Sequence, residues 1–160
     1  MHRQRYKLPK AVRGAVAVEL ALLLVPLLIL TFTAAEYGRA LYQYNTLVKA
    51  VRDSARHLSQ FDPTDTNAYS KEVSNAKCLV VYGNPTCIGQ VLAPGLTANM
   101  VSINPITTTA TAGTSTITLT LVEVKITGYI FNFLLDPLAL LDKGQNSLTF
   151  NNIRATMRQL

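Results

Sequence analysis

The stretch Ala15–Ala35, AVAVELALLLVPLLILTFTAA, constrains this chain more than any other part of it. Glu19 is its one charged residue. Twenty-one residues at about 1.5 Å each make a helix of about 31 Å, enough to cross a bilayer core of about 30 Å. A removable signal has a shorter apolar region followed by small residues. Thr33-Ala34-Ala35 offers such punctuation, but the run exceeds the signal pattern, so a retained membrane helix is the expectation. Glu19 stands a turn or so inside it, where a carboxylate costs up to about 2.5–3.5 kcal/mol at full depth. Either it stays near the interface, or it meets a positive partner within the membrane. Pro26 frees a backbone carbonyl, which predicts a kink or local unwinding.

Charge fixes the orientation. Arg3, Arg5, Lys7, Lys10 and Arg13 precede the apolar run with no acidic residue among them. They account for most of the formal charge of +6; the rest of the chain is nearly neutral. The positive-inside bias predicts a cytoplasmic N-terminus, with everything after the span on the other side. A nucleic-acid-binding fold would spread its basic residues over a folded surface, so no nucleic-acid partner is expected. The predicted organisation is a basic leader at 1–14, a transmembrane helix at 15–35 and an α+β domain at 36–160.

Helical periodicity continues past the span. Leu41, Tyr44, Val48, Val51, Ala55 and Leu58 recur every three or four residues, which predicts one long helix over 15–60, half in membrane and half amphipathic. The stripe reads as a core face, with a partner coiled coil as the lesser alternative. Arg39, Gln43, Lys49, Arg52 and Arg56 fall on other faces. Asp62-Pro63 stops the helix. A second helix is predicted over Thr66–Val81, with Tyr69, Val73, Ala76 and Val80 on one face, and Gly83-Asn84-Pro85 turns the chain. Strands are predicted at Met100–Ile106, Ser115–Tyr129 and Ser147–Arg158, forming a three-stranded antiparallel sheet. Thr107–Gly113 reads as a loop. A change of apolar phase from Ile117, Leu119 and Leu121 to Val122, Val124 and Ile126 suggests a bulge or twist. Ile130–Leu141 is very apolar for a connection: it is a loop or short helix folded on the sheet, or a patch for membrane or a neighbouring subunit.

Cys78 and Cys87 enclose a short turn and are expected to form a disulfide outside the cytoplasm; a metal pair is the weaker reading, because His2 and His57 lie elsewhere. His57 reads as a solvated helix residue, and Asp62, Asp65, Asp136 and Asp142 as loop and turn residues. No nucleophile, phosphate-loop or zincin motif is present. No cofactor, no metal and no enzymatic activity are expected.

Two sets of residues carry a resemblance. The basic leader, Gly14 and an apolar helix bearing Glu19 resemble the N-terminus of type IV pilin-like precursors. More specifically, RGAVAVELAL from Arg13 with Pro26 after it, EYGRALYQYN from Glu36 and AVRDSAR from Ala50 resemble the TadE-like family. Those are minor pilin-like proteins, or pseudopilins, of tight-adherence (Tad, or Flp) pili. Weaker similarity continues at Asn75–Asn84 and Ile153–Arg158. The resemblance implies cleavage between Gly14 and Ala15 by a prepilin peptidase, making Glu19 the fifth residue of the mature chain. It implies that Glu19 pairs with the freed N-terminal amine of a neighbour during assembly. It also implies partners: pilin and minor pilin subunits, assembly-platform proteins and an assembly ATPase. Leu20 departs from the pattern, since an aromatic residue commonly follows the glutamate. The expected function is a structural component in filament initiation or assembly, anchored in the bacterial inner membrane with its α+β domain in the periplasm. The alternatives are an unprocessed, membrane-anchored envelope protein with a binding domain and, less favoured, a secreted enzyme.

Overall fold

A computed structural model describes residues 10–112, 115–134 and 146–159. The chain divides into two compact units. One comprises Met1–Gly38 with Leu134–Asn146; the other comprises Arg39–Phe133 with Ser147–Leu160. Helix α1 (Lys10–Leu58) contributes residues to both. It stays α-helical through Pro26, so the expected unwinding there does not occur: proline removes one bond of a ladder that is intact on either side. Arg56 and His57 in the last turn suit the negative end of the helix.

Helix α2 (Thr66–Tyr82) is set by both of its ends. Asp65 caps the start by accepting from the Ala68 N–H at 3.2 Å. Gly83 ends it in the left-handed region, φ 75°, and its N–H donates to Leu79 O. A side chain there would be strained, and its Cβ would stand 3.2 Å from Leu92 Cδ2.

Among the described residues five strands follow: β1 (Val101–Ala112), β2 (Ser115–Ile126), β3 (Ile130–Asn132), β4 (Ser147–Thr149) and β5 (Ile153–Arg158). A three-stranded antiparallel sheet has the order β1-β2-β5, and β3 pairs with β4 in a separate two-stranded sheet. The fold is therefore α+β with the expected antiparallel sheet, and three details correct the sequence reading. Residues 107–112, read as loop, are strand, because threonine suits a pleated surface. The β1–β2 register runs unbroken from Val101↔Ile126 to Ala112↔Ser115, so there is no bulge. The apolar phase changes because β2 has two working faces: Val122, Val124 and Ile126 are buried, whereas Ile117 is exposed. The third predicted strand is two strands, β4 and β5, separated by residues 150–152.

The core of the second unit is continuous. On α1 it takes Ala40, Leu47, Val51, Ala55 and Leu58; α2 adds Ala76, Val80 and Val81; the sheets add Val122, Val124, Ile126, Phe131 and Ile153. The stripe of α1 is a core face, as expected: Val51, Ala55 and Leu58 are buried and Val48 packs against the core, and only the start of the stripe is displaced. Leu41 and Tyr44 are exposed, while Ala40, Gln43, Leu47, Ala50 and Ser54 are buried. Ser54 Oγ donates to Ala76 O at 2.9 Å, which lets a hydroxyl sit between the two helices without an unmet bond. Ile130–Leu141 is described in part. Residues 130–132 are strand rather than loop or helix, with Phe131 in the core; residues 135–141, and with them Asp136, lie outside the described residues, as does Asp142.

Cys78 and Cys87 are bridged, as the sequence predicts. The bridge ties the end of α2 to the turn after it, where Asn84 Oδ1 accepts from Thr86 N–H and Oγ1 and from Ile88 N–H. Replacing both cysteines by serine should lower the stability of this unit by about 2–3 kcal/mol in the chain-entropy account of a loop this short. Denaturant unfolding of oxidised wild type against the double variant measures it.

Candidate functional site

The first candidate site is the N-terminal part of α1, built from residues of the first unit. From Gly14 to Leu28 every residue is exposed. Val16, Val18, Leu20, Leu22 and Leu23 each keep more than half of their surface open. Soluble proteins rarely leave so large a contiguous apolar surface uncovered. An 18-residue window of this helix has a mean hydropathy of 2.6 and none of it is buried. The helix is long and apolar enough to cross a membrane as a single pass.

Gly14 and Ala15 both lie within α1, and nothing stands within 4 Å of where a Gly14 side chain would begin. Glu19 is exposed and, among the described residues, has no ion pair or hydrogen bond within the chain. Beside Pro26 an open apolar hollow of about 450 Å³ is lined by Pro26, Ile29, Leu30, Thr33 and Ala34. Thr31 and Thr33 turn their hydroxyls back onto the helix, to Leu28 O and Ile29 O, so that segment presents few polar groups outward.

Glu36, which ends the apolar run, is nearly buried at 6% exposure. Its Oε2 accepts from the Leu134 N–H at 3.3 Å. The sequence held no signal for this contact, because the partner stands 98 residues away.

In the second unit, Arg39 is engaged rather than solvated. Its guanidinium lies 4.3 Å from the centroid of the Phe131 ring, and Nη2 donates to Asn132 O at 2.7 Å. Tyr129, buried nearby, has its hydroxyl 3.0 Å from Gln43 Oε1 and 3.1 Å from Pro94 O. Burial pushes its phenol above the ordinary value, opposed by the charge of Arg39.

His57 also departs from the solvated residue expected. Its Nε2 stands 2.8 Å from Glu72 Oε2, linking α1 to α2, and its ring tilts onto Phe61. Hydrogen bonds from Asn75 and His57 hold the Glu72 carboxyl below the usual range. Asp62 and Asp65 are turn residues, as expected. Asp62 accepts from the Thr64 backbone and hydroxyl, which lowers its pKa, and Asp65 caps α2. Among the described residues no three His, Cys, Asp or Glu side chains gather in one place.

A single apolar helix of membrane-spanning length thus runs on into the core of a small α+β unit. Residues 14–56 match the family model described as TadE-like protein, so this segment of α1 is TadE-like, as the residues quoted above imply. The match begins at Gly14 and lies wholly within α1. The weaker similarity read at 75–84 and 153–158 falls outside it. That family is pilus-related and structural rather than catalytic. No curated protein and no solved structure matches the chain.

Proposed function

We propose that this chain is a minor pilin-like component of a tight-adherence pilus assembly or secretion system, acting in filament initiation or assembly. The observation that carries the reading is the TadE-like match over a helix whose apolar run, Ala15–Ala35, holds one charge, Glu19. In this reading a prepilin peptidase cuts between Gly14 and Ala15 and removes the basic leader. Residues 15–35 then hold the chain in the bacterial inner membrane, and residues 36–160 form a periplasmic domain. Glu19 takes the ammonium of a neighbouring subunit's Ala15 as its partner, which offsets the cost of a carboxylate in lipid. The other partners are pilin and minor pilin subunits and the assembly platform with its ATPase.

In this reading not all of α1 is free to pack on other subunits. Between residues 40 and 58 one face of α1 already serves its own core. Contact with other subunits falls chiefly to the exposed apolar residues before Glu36, including the hollow beside Pro26, with Leu41 and Tyr42 exposed beyond it.

Intact mass of the membrane-extracted protein tests the reading. In a cell with active prepilin peptidase the chain should begin at Ala15. A chain beginning at Met1 would sink the processing step and favour an unprocessed envelope anchor, the reading that Leu20 after Glu19 supports.

A further inference from the structure

The outer half of the three-stranded sheet has an edge that no strand covers among the described residues. β1 pairs with β2 along its whole length and stands at the edge of the sheet. β5 covers the other side of β2 from Leu121 to Ile126. Past the bond from Gln159 N–H to Thr120 O, 2.9 Å, the described ribbon is two-stranded. Two strands alone are marginal in water.

The direction of the edge groups follows from the ladder. In an antiparallel pair, successive residues alternate between facing the partner strand and facing away. The Thr120 carbonyl faces β5, so its partner in β1, Thr107, turns its N–H and C=O to the open side. Thr109 and Thr111 follow by period two. Pro105 has the same parity, and an outward position is the one a proline tolerates. Asn104–Thr111 are all exposed.

Natural edges are usually blunted by charge, by proline or by a cover. From Pro105 to Val122 there is no Asp, Glu, Lys or Arg. Pro105 is the one blunting device, and it stands at one end of the open stretch.

We propose that this edge pairs with the same edge of a second copy, antiparallel and two-fold symmetric about Thr109. Thr107 of one copy then faces Thr111 of the other, and Thr109 faces Thr109. Each facing pair exchanges two backbone hydrogen bonds, and Pro105 falls outside the paired segment. A second copy is the fitting occupant because the edge is its own complement. Within the ribbon Thr107, Thr109 and Thr111 already stand opposite Thr120, Thr118 and Thr116. A second copy continues those threonine rows across the junction, with no charge to repel it, whereas a charged strand would find no counter-charge there.

Cysteine cross-linking of the full-length protein in membranes tests this. Cys78 and Cys87 are bridged, so the introduced thiol is the reactive one. Thr109→Cys should convert under mild oxidation to a dimer of twice the mass, lost on reduction, because facing residues in such a pair lie about 5.5 Å apart. Thr107→Cys mixed with Thr111→Cys should cross-link. Thr107→Cys alone should not, since its two copies would be about 14 Å apart. Thr118→Cys, on the other strand, should stay monomeric. Unchanged circular-dichroism melting of each variant ensures that a monomer band reports pairing and not misfolding. A monomeric Thr109→Cys overturns the proposal. So does equal cross-linking of Thr118→Cys or of Thr107→Cys alone, or an adduct with a different polypeptide. The outcome is independent of cleavage at Gly14.

Discussion

Glu19→Ala should leave the protein in the membrane and remove it from filaments. Losing the carboxylate makes insertion easier, because a charge within a span costs about 2.5–3.5 kcal/mol at the helix centre. On the proposed pairing, the cost falls on assembly. A neighbour's ammonium brought into lipid without its carboxylate is an unpaired charge, and breaking such a pair costs about 3–5 kcal/mol. At 1.4 kcal/mol per factor of ten, incorporation should fall about a hundredfold or more. The measurement is the ratio of sheared, filament-associated protein to membrane protein, by immunoblot, in wild type and variant. Glu19→Asp keeps the charge and should recover part of the loss. An unchanged ratio in Glu19→Ala would remove the intramembrane pairing role.

Phe131→Ala should be the most damaging single substitution in the folded unit. Phe131 is 1% exposed. Its ring meets Phe133 edge-on at 5.3 Å, lies nearly parallel to Phe150 at 6.1 Å, and carries the Arg39 guanidinium on its face. Truncation opens a cavity beneath two other aromatics and strips a cation of its ring. A phenylalanine-to-alanine change in a core costs about 3–5 kcal/mol. For a unit of this size that lowers the melting temperature by about 12–20 °C. Ile117→Ala, at 54% exposure, should change stability by less than about 0.5 kcal/mol. Thermal melts of the two variants side by side check both values.

Phe131 also marks the limit of what the sequence discloses. Its segment reads as an apolar connection, because β3 is three residues long and its partner β4 lies fifteen residues further on. No local period reports so short a pairing. The long elements were legible for the opposite reason. The predicted helix over 15–60 matches Lys10–Leu58 closely, since Asp62-Pro63 terminates what forty apolar-patterned residues propagate. α2 was equally clear, with Asp65 and Gly83 at its ends. The core face of α1 was read rightly at Val51, Ala55 and Leu58 but misplaced at its start, and it missed Gln43 and Ser54, which are buried polar residues. Each is satisfied by a partner far away in sequence, Tyr129 and Ala76, so hydropathy excluded them from the stripe and admitted Leu41 instead.

The candidate membrane site divides the same way. Its length, apolarity and single carboxylate are properties of consecutive residues, so they are visible without coordinates. Glu36 with the Leu134 N–H, Arg39 with Phe131 and His57 with Glu72 join residues between 15 and 98 positions apart. Each looked like an ordinary helix charge until its partner was placed.

The bonds of Gln159 bear on synthesis. The Gln159 side-chain amide reaches Leu58 O, Phe61 O and the Tyr69 hydroxyl, and Gln159 N–H bonds Thr120 O. A residue made 101 positions after Leu58 thus closes bonds at the end of α1. Translation at about 5–20 residues per second leaves the core face of α1 uncovered for several seconds at least. During that interval the nascent chain offers Leu47, Val51, Ala55 and Leu58 to any aggregation partner or holding chaperone, and the completed unit withdraws them.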